Sequence, residues 1–360
     1  VLIMDSGNEK LLIIEPFYGG SHKKLIDVIC LSEFFTNLSS KKWHWRARTC
    51  ALFISTQIPH QHSYKTLFCT SVLPLAEMLV VYFHENQLEF PVRVVKERDF
   101  YLGLTKNLIS HSSIVADQVL FNSCYNRDSF LSHINNHLKL QPDHKVRDLD
   151  MTLKSKCAVI YYPLDLNTIN KHLSATKKED SDMLHIVWPH RWEFDKNPEA
   201  FYRVLCQLDD NGHEFKVSIL GESFAEKPEI FDELLHRFSS SKLLHCGYVE
   251  SAKEYYAVLR NADVVVSTAI HEFFGVAVLE AVYCGCIPIV PKRLSYKEFF
   301  ESRVKEVYDT EADLYEVLAG LCKRKRDRNL NKSYSHLALQ FDSEKWFQMF
   351  LEMIDFNVCE

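Results

Sequence analysis

A chain of 360 residues, 47% apolar and 25% charged, is too long for one ordinary core and too average in composition for a disordered or fibrous protein. Its net charge of −6 argues against a protein that coats nucleic acid, although screening over about 10 Å leaves local basic patches effective. No apolar run reaches the roughly 20 residues of a membrane helix, and the eleven cysteines contain no CxxC pair, so buried thiols in a reducing cytoplasm are expected, with a nuclear address also open.

Residues 1–4 read as a short apolar remnant without the basic flank or length of a signal peptide. Beyond them, short apolar runs alternate with amphipathic stretches, the signature of parallel α/β architecture. Strands are expected at residues 11–14, 79–83, 118–121 and 158–161, each ending where polar residues begin. The first runs into Gly19-Gly20-Ser21 ahead of a helical stretch, and a glycine pair lets a ligand approach the backbone there. It lacks the spaced glycines of a dinucleotide fingerprint. The second runs into His84-Glu85-Asn86-Gln87, polar side chains at a strand's carboxyl end, where ligands sit in open α/β sheets. For His84 alone, a structural histidine and a sugar contact are equally compatible with the sequence. Residues 74–77 read as helical with no room for a turn before the next strand, so chain is expected to be missing near 77–78, as it is near 31–40.

Residues 166–182 turn polar and are expected to be a linker or a shortened loop. A second α/β series follows, with strands expected at 184–188, 216–220, 243–245, 263–267 and 287–290 and helices at 198–208, 252–260 and 276–284. The expected domains are 1–165, joined by a C-terminal helix within 343–360, and 183–342.

The strand at 263–267 leads into a loop with Glu272 and Gly275, then a helix carrying Glu280 and ending at Gly285. A helix starting near Gly275 aims its N–H groups and positive dipole end at the strand tip, a geometry that binds phosphate without a metal. Glu272 and Glu280 are eight residues apart, about 80° on one helix. They are compatible with two solvated glutamates, yet Glu280 sits in the apolar run 276–282, where a carboxylate needs a partner such as ribose hydroxyls. At the opening of the second domain, Arg191 and Lys196 lie between a strand and the helix begun by Pro198. Two cations there neutralise a departing diphosphate, or form a solvated basic pair.

Arg-x4-Lys followed by Glu-x7-Glu resembles the retaining glycosyltransferases of the GT-B fold. The segments Ile14-Glu15-Pro16-Phe17-Tyr18-Gly19-Gly20-Ser21-His22-Lys23, Tyr82-Phe83-His84-Glu85-Asn86-Gln87 and His271-Glu272-Phe273-Phe274-Gly275-Val276-Ala277 are similar to the family of tRNA-queuosine α-mannosyltransferases. This resemblance implies GT-B architecture, two Rossmann-like parallel-sheet domains facing each other across a cleft. It implies GDP-mannose as donor and queuosine at the wobble position of tRNA-Asp as acceptor, with neither metal nor cofactor. It assigns Arg191 and Lys196 to the diphosphate, Glu280 to the ribose, and Glu272 with the amides near Phe274 and Gly275 to the sugar. His84 is assigned a sugar contact. For RNA, Lys41, Lys42, Trp43, His44, Trp45, Arg46 and Arg48 interleave cations with rings, which suits phosphate contacts and base stacking. The same pattern is compatible with tryptophans docked in the core. Two other readings stay open: a GT-B hexosyltransferase with a glycan, lipid or small-metabolite acceptor, and a catalytically silent sugar-nucleotide or RNA binder. No membrane or protein partner is expected.

Overall fold

A computed structural model of the chain describes residues 2–5, 10–14, 24–25, 64–69, 78–86, 88–89, 112–139, 148–174, 178, 181–223, 228–238, 242–327, 330 and 333–353. Gly19, Gly20, the basic aromatic stretch 41–48, residues 31–40 and residues 74–77 before the suspected gap near 77–78 lie outside them. The chain divides into two compact units, Val1–Pro163 with Ser343–Glu360, and Leu164–Asp342.

The first unit is built on a six-stranded sheet in the order β1 (Leu2–Asp5), β2 (Lys10–Ile14), β3 (Tyr64–Cys69), β4 (Met78–Phe83), β5 (Gln118–Phe121) and β6 (Cys157–Val159). All neighbours run parallel except β1, which is antiparallel to β2. The apolar remnant expected at residues 1–4 is therefore an edge strand, its backbone paired from Leu2 to Asp5. Helix α1 (Cys124–Leu138) follows β5, with the Ser123 side chain accepting from the Asn126 N–H as its cap. Helix α2 (Leu149–Lys154) packs beside it, and Phe83, Phe121, Phe130, Leu149 and Leu153 form the core beneath them. The helix Ser343–Met353 belongs to this unit, and its Met353 carbonyl accepts from the Gln118 side chain.

The second unit opens with helix α3 (Leu166–Ser174), within the stretch read above as a linker. Leu166 and Ile169 bury one face of α3, Leu173 is its remaining apolar position, and the other six are polar, which is why the composition resembled a loop. Its sheet is wholly parallel in the order β11 (Ile287–Ile289), β10 (Val264–Val266), β7 (Leu184–Pro189), β8 (Phe215–Leu220), β9 (Leu243–Gly247). The connecting helices are α4 (Pro198–Asp210), α5 (Ile230–Arg237), α6 (Ala252–Asn261), α7 (Val276–Tyr283), α8 (Leu294–Phe300) and α9 (Glu311–Arg326). Trp188 anchors the core, stacked on Phe201 with ring centroids 5.8 Å apart. Chain order runs outward from β7 through β8 to β9 on one side, and from β10 to β11 on the other. The connectivity thus reverses between β7 and β10. That reversal is where an open α/β sheet leaves a crevice at the strands' carboxyl ends.

Candidate functional site

Arg191 and Lys196 follow the carboxyl end of β7, and Glu272 and Gly275 follow that of β10. Phe194–Lys196 form a single 3-10 turn, closed by Asn197 at φ 50°, a left-handed conformation that asparagine tolerates. Asn197 also caps α4, accepting from the Ala200 N–H, and Pro198 opens that helix. The turn is fastened to the loop after β10 through its backbone. The Asp195 carbonyl accepts from the Ile270 N–H at 2.8 Å, and the Lys196 carbonyl accepts from the Thr268 hydroxyl at 2.8 Å. Thr268 in turn accepts from the indole N–H of Trp188 at 3.1 Å.

Lys196 is buried, and its ammonium lies 3.0 Å from Asp195 Oδ2, 3.4 Å from Glu272 Oε2 and 2.9 Å from the His271 carbonyl. Its three N–H donors are matched by three acceptors, so the cation expected to await a diphosphate is held between two carboxylates. Arg191 is different: its side chain is 48% exposed and lies 3.3 Å from the carboxylate of Glu193, itself 31% exposed. Glu272 Oε1 accepts from the N–H groups of Phe274, at 3.3 Å, and Gly275, at 3.1 Å. The two amides expected to face the donor therefore donate to Glu272. Burial pushes this carboxyl up, but the Lys196 charge and the Phe274 amide help outweigh it, so the net shift is below the usual value.

Gly275 caps α7 at φ 89°. A β-carbon there would also come within 2.7 Å of the Tyr296 ring, a reason for glycine that needs no ligand. With the Gly275 amide used by Glu272, helix geometry leaves the N–H groups of Val276, Ala277 and Val278 without intrahelical acceptors. They point along the positive end of the dipole. Glu280, one turn further, is buried, and its oxygens accept the hydroxyls of Tyr255 at 3.0 Å and Tyr256 at 3.3 Å.

Sequence reasoning passed over His190 and Gly221. His190 is buried edge-on against Trp188 at 4.9 Å, and its Nε2 has no hydrogen-bond partner among the described residues. Burial first, then the Lys196 charge, lower its pKa to about 3. His185, buried at the start of the same strand with its ring 2.8 Å from Ser218 Oγ, is lowered to about 4, chiefly by burial. Below about pH 6.5 the unfolded chain takes up protons at both positions that the folded chain refuses. Stability is therefore fully present above that pH and falls as pH drops toward 4, by up to about 1.4 kcal/mol per pH unit for each histidine. Urea unfolding at pH 7 and pH 5 should show this loss, and it should shrink in a His185→Gln, His190→Gln variant. An unchanged pH dependence in that variant would refute the assignment.

In the first unit, His84 lies directly after β4 and is buried, its ring edge-on to Tyr82 at 5.0 Å. Its carbonyl accepts from Asn122 at 2.8 Å, and Asn126 donates to the Phe83 carbonyl at 2.9 Å. Asn86 is fully buried and donates to Asn126 and Ser129. These asparagines fix the backbone around His84. In the second unit, the sequence carries a basic run of Lys323, Arg324, Lys325, Arg326 and Arg328; Lys325 is bound to Asp263 at 3.0 Å and Arg324 lies 3.4 Å from Glu306, so these two cations are engaged within the unit. Among the described residues, no three His, Cys, Asp or Glu side chains group as metal ligands, and no helix is long and apolar enough to cross a membrane.

The chain matches two families, tRNA-queuosine alpha-mannosyltransferase N-terminal over residues 10–164 and glycosyl transferases group 1 over residues 171–334. A tRNA-queuosine alpha-mannosyltransferase of Drosophila melanogaster is 43% identical over 345 residues, covering 90% of this chain and 89% of the relative. Among solved structures, sucrose-phosphate synthase from Thermosynechococcus elongatus gives a TM-score of 0.65 at 13% identity, over 89% of this chain and 80% of that one. Anabaena Alr3699/HepE in complex with UDP and glucose gives 0.61 at 15% identity, over 96% and 98%. At such identities these structures share the fold alone, two Rossmann-like sheets of the GT-B kind.

Proposed function

Because the chain belongs to the tRNA-queuosine alpha-mannosyltransferase family, and is thus a glycosyltransferase, we propose that it moves mannose from GDP-mannose onto a cyclopentene hydroxyl of queuosine, at the wobble position of tRNA-Asp, with retained α configuration. The observation that carries the donor half is the convergence of Arg191, Lys196, Glu272 and the start of α7 at the reversal of one parallel sheet. Fixed cations and helix amides supply the charge stabilisation that a leaving diphosphate requires, so the proposed reaction uses no metal.

In this reading Arg191, Lys196 and the first amides of α7 hold the diphosphate, and Glu280 holds the ribose. The long Lys196–Glu272 contact, 3.4 Å, is the one exchanged. Lys196 turns to a phosphate oxygen, and Glu272 Oε2 then accepts from sugar hydroxyls. The acceptor oxygen attacks the anomeric carbon on the face that GDP leaves, and the carbon–phosphate-oxygen bond breaks with its electron pair going to GDP. The acceptor proton passes to that same phosphate oxygen. His84 is retained as a proposed sugar-contacting residue. The RNA-binding role of residues 41–48 and a cytoplasmic address complete the proposal; the free thiols of Cys206, Cys246, Cys284 and Cys286 are consistent with that address.

Purified protein incubated with GDP-mannose and queuosine-containing tRNA should add one hexose to the nucleoside, read by mass spectrometry. It should do so in the presence of a chelator. Transfer from UDP-glucose instead, or equal transfer to queuosine-free tRNA, would overturn the donor or the acceptor assignment respectively.

A further inference from the structure

Glu280 is 4% exposed, and no sequence pattern identifies the protein side chains that share its site. Two neighbouring residues of α6 do: the Tyr255 hydroxyl donates to Oε2 at 3.0 Å and the Tyr256 hydroxyl to Oε1 at 3.3 Å. Successive side chains on a helix diverge by about 100°, so two tyrosines in sequence reach one carboxylate only when it lies between them. Their rings are edge-to-face, with centroids 5.2 Å apart. His172 of α3 stacks on Tyr256 at 5.4 Å and 22°. Helix α3 is itself tied to α7, because the Tyr283 hydroxyl donates to Asn170 Oδ1 at 2.9 Å. The carboxylate is thus gripped at both oxygens by one helix, and that grip is backed by a third.

We infer that Tyr255 and Tyr256 are positioning residues that hold the Glu280 carboxylate for the two vicinal hydroxyls of a nucleotide ribose. The inference rests on the reading of this unit as the donor site. A carboxylate has about four acceptor positions, two on each oxygen, so it accommodates one phenol and one sugar hydroxyl per oxygen. A free glutamate side chain has three rotatable bonds, and fixing them in advance removes an entropic cost from binding. Glu280 also lies four residues beyond the first residue of α7, about 6 Å along the axis. That is the scale separating a ribose from a diphosphate held at the helix start. Burial, then the Glu280 charge, raise both phenols well above their ordinary pKa, so both remain hydrogen-bond donors at working pH.

A purely structural role, satisfying a buried carboxylate, makes a different prediction from a positioning role. Isothermal titration of the wild type and of Tyr255→Phe, Tyr256→Phe and the double variant should be run with GDP and with 2′,3′-dideoxy-GDP, and with UDP in parallel. The wild type should bind GDP more tightly than the dideoxy nucleotide. The double variant should lose about tenfold or more in GDP affinity, with dideoxy-GDP affinity unchanged, and the single variants should each show part of that loss. Should the double variant fail to fold, the single variants carry the same comparison. Equal weakening of both nucleotides, or undiminished GDP binding, would overturn the positioning role. A wild type that binds both guanine nucleotides equally would remove Glu280 from the ribose, and this inference with it, while leaving the donor site standing. Failure of the wild type to bind either GDP or UDP would overturn the donor site itself.

Discussion

Lys196→Ala should slow mannosyl transfer by about 100-fold or more and destabilise the second unit by about 3–5 kcal/mol. Both effects come from one ammonium. In the free protein it separates two carboxylates, Asp195 with a 2% exposed side chain and Glu272 with 20%. Removing it leaves a buried and a half-buried like charge beside each other, with Asp195 Oδ1 already lacking a hydrogen-bond partner among the described residues. In the proposed reaction the same ammonium faces the charge that builds on the leaving diphosphate, where a positioned cation has its greatest effect. Arg191→Ala separates the two contributions. That side chain is 48% exposed, and its ion pair with Glu193 is of the solvent-accessible kind that contributes about 0–1 kcal/mol. Its loss should slow transfer while leaving the urea midpoint in place. Rate and midpoint measured on both variants decide the matter: a Lys196→Ala enzyme within tenfold of wild type would remove Lys196 from the donor site.

Gly221→Ala should be as damaging, through backbone alone. Gly221 directly follows β8, at φ +120°, a region that side chains rarely adopt, and a β-carbon there would stand 1.9 Å from the His190 carbonyl oxygen and 3.1 Å from the Arg191 nitrogen. The clash is with main chain, which has no rotamer to yield. Either the strand end carrying Arg191 moves or Gly221 does. A strained φ of this kind costs on the order of 1–3 kcal/mol, and a displacement near 1 Å at a binding group costs about 100-fold in rate. Thermal unfolding and GDP titration on the variant should both register the change. Wild-type GDP affinity would show that the loop from His190 to Lys196 does not touch the nucleotide.

Much of the fold was legible because a parallel strand buried on both faces is an unbroken apolar run. The stretch 184–188 became Leu184–Pro189 and 216–220 became Phe215–Leu220. Gly285 took the positive φ that suits a glycine at a helix end, whereas the positive φ of Gly275 was not foreseen. What failed to show was whatever depends on distant pairing. β1 carries only four residues and owes its existence to β2. Strand β3, at Tyr64–Cys69, has polar residues within it and is defined by its neighbours on either side. Helix α3 has a narrow apolar stripe and needs α6 to cover it, so its polar letters read as a linker. In the site, residue types and strand ends could be read in advance, but their pairings could not. Asp195 neighbours Lys196 in sequence, yet Glu272 is 76 residues away and the tyrosines lie 24 and 25 residues before Glu280. No local pattern encodes such partners, nor the near-contact that reserves position 221 for glycine.

The bond from the Trp188 indole to Thr268, and from Thr268 to the Lys196 carbonyl, has an evolutionary corollary. Trp188 lies at the centre of the interior packing, so a lineage that remodels that interior also re-aims the ammonium proposed to hold the diphosphate. Thermal adaptation and catalytic tuning then share a coordinate in this unit, and substitutions that harden its centre are filtered by activity before they are kept.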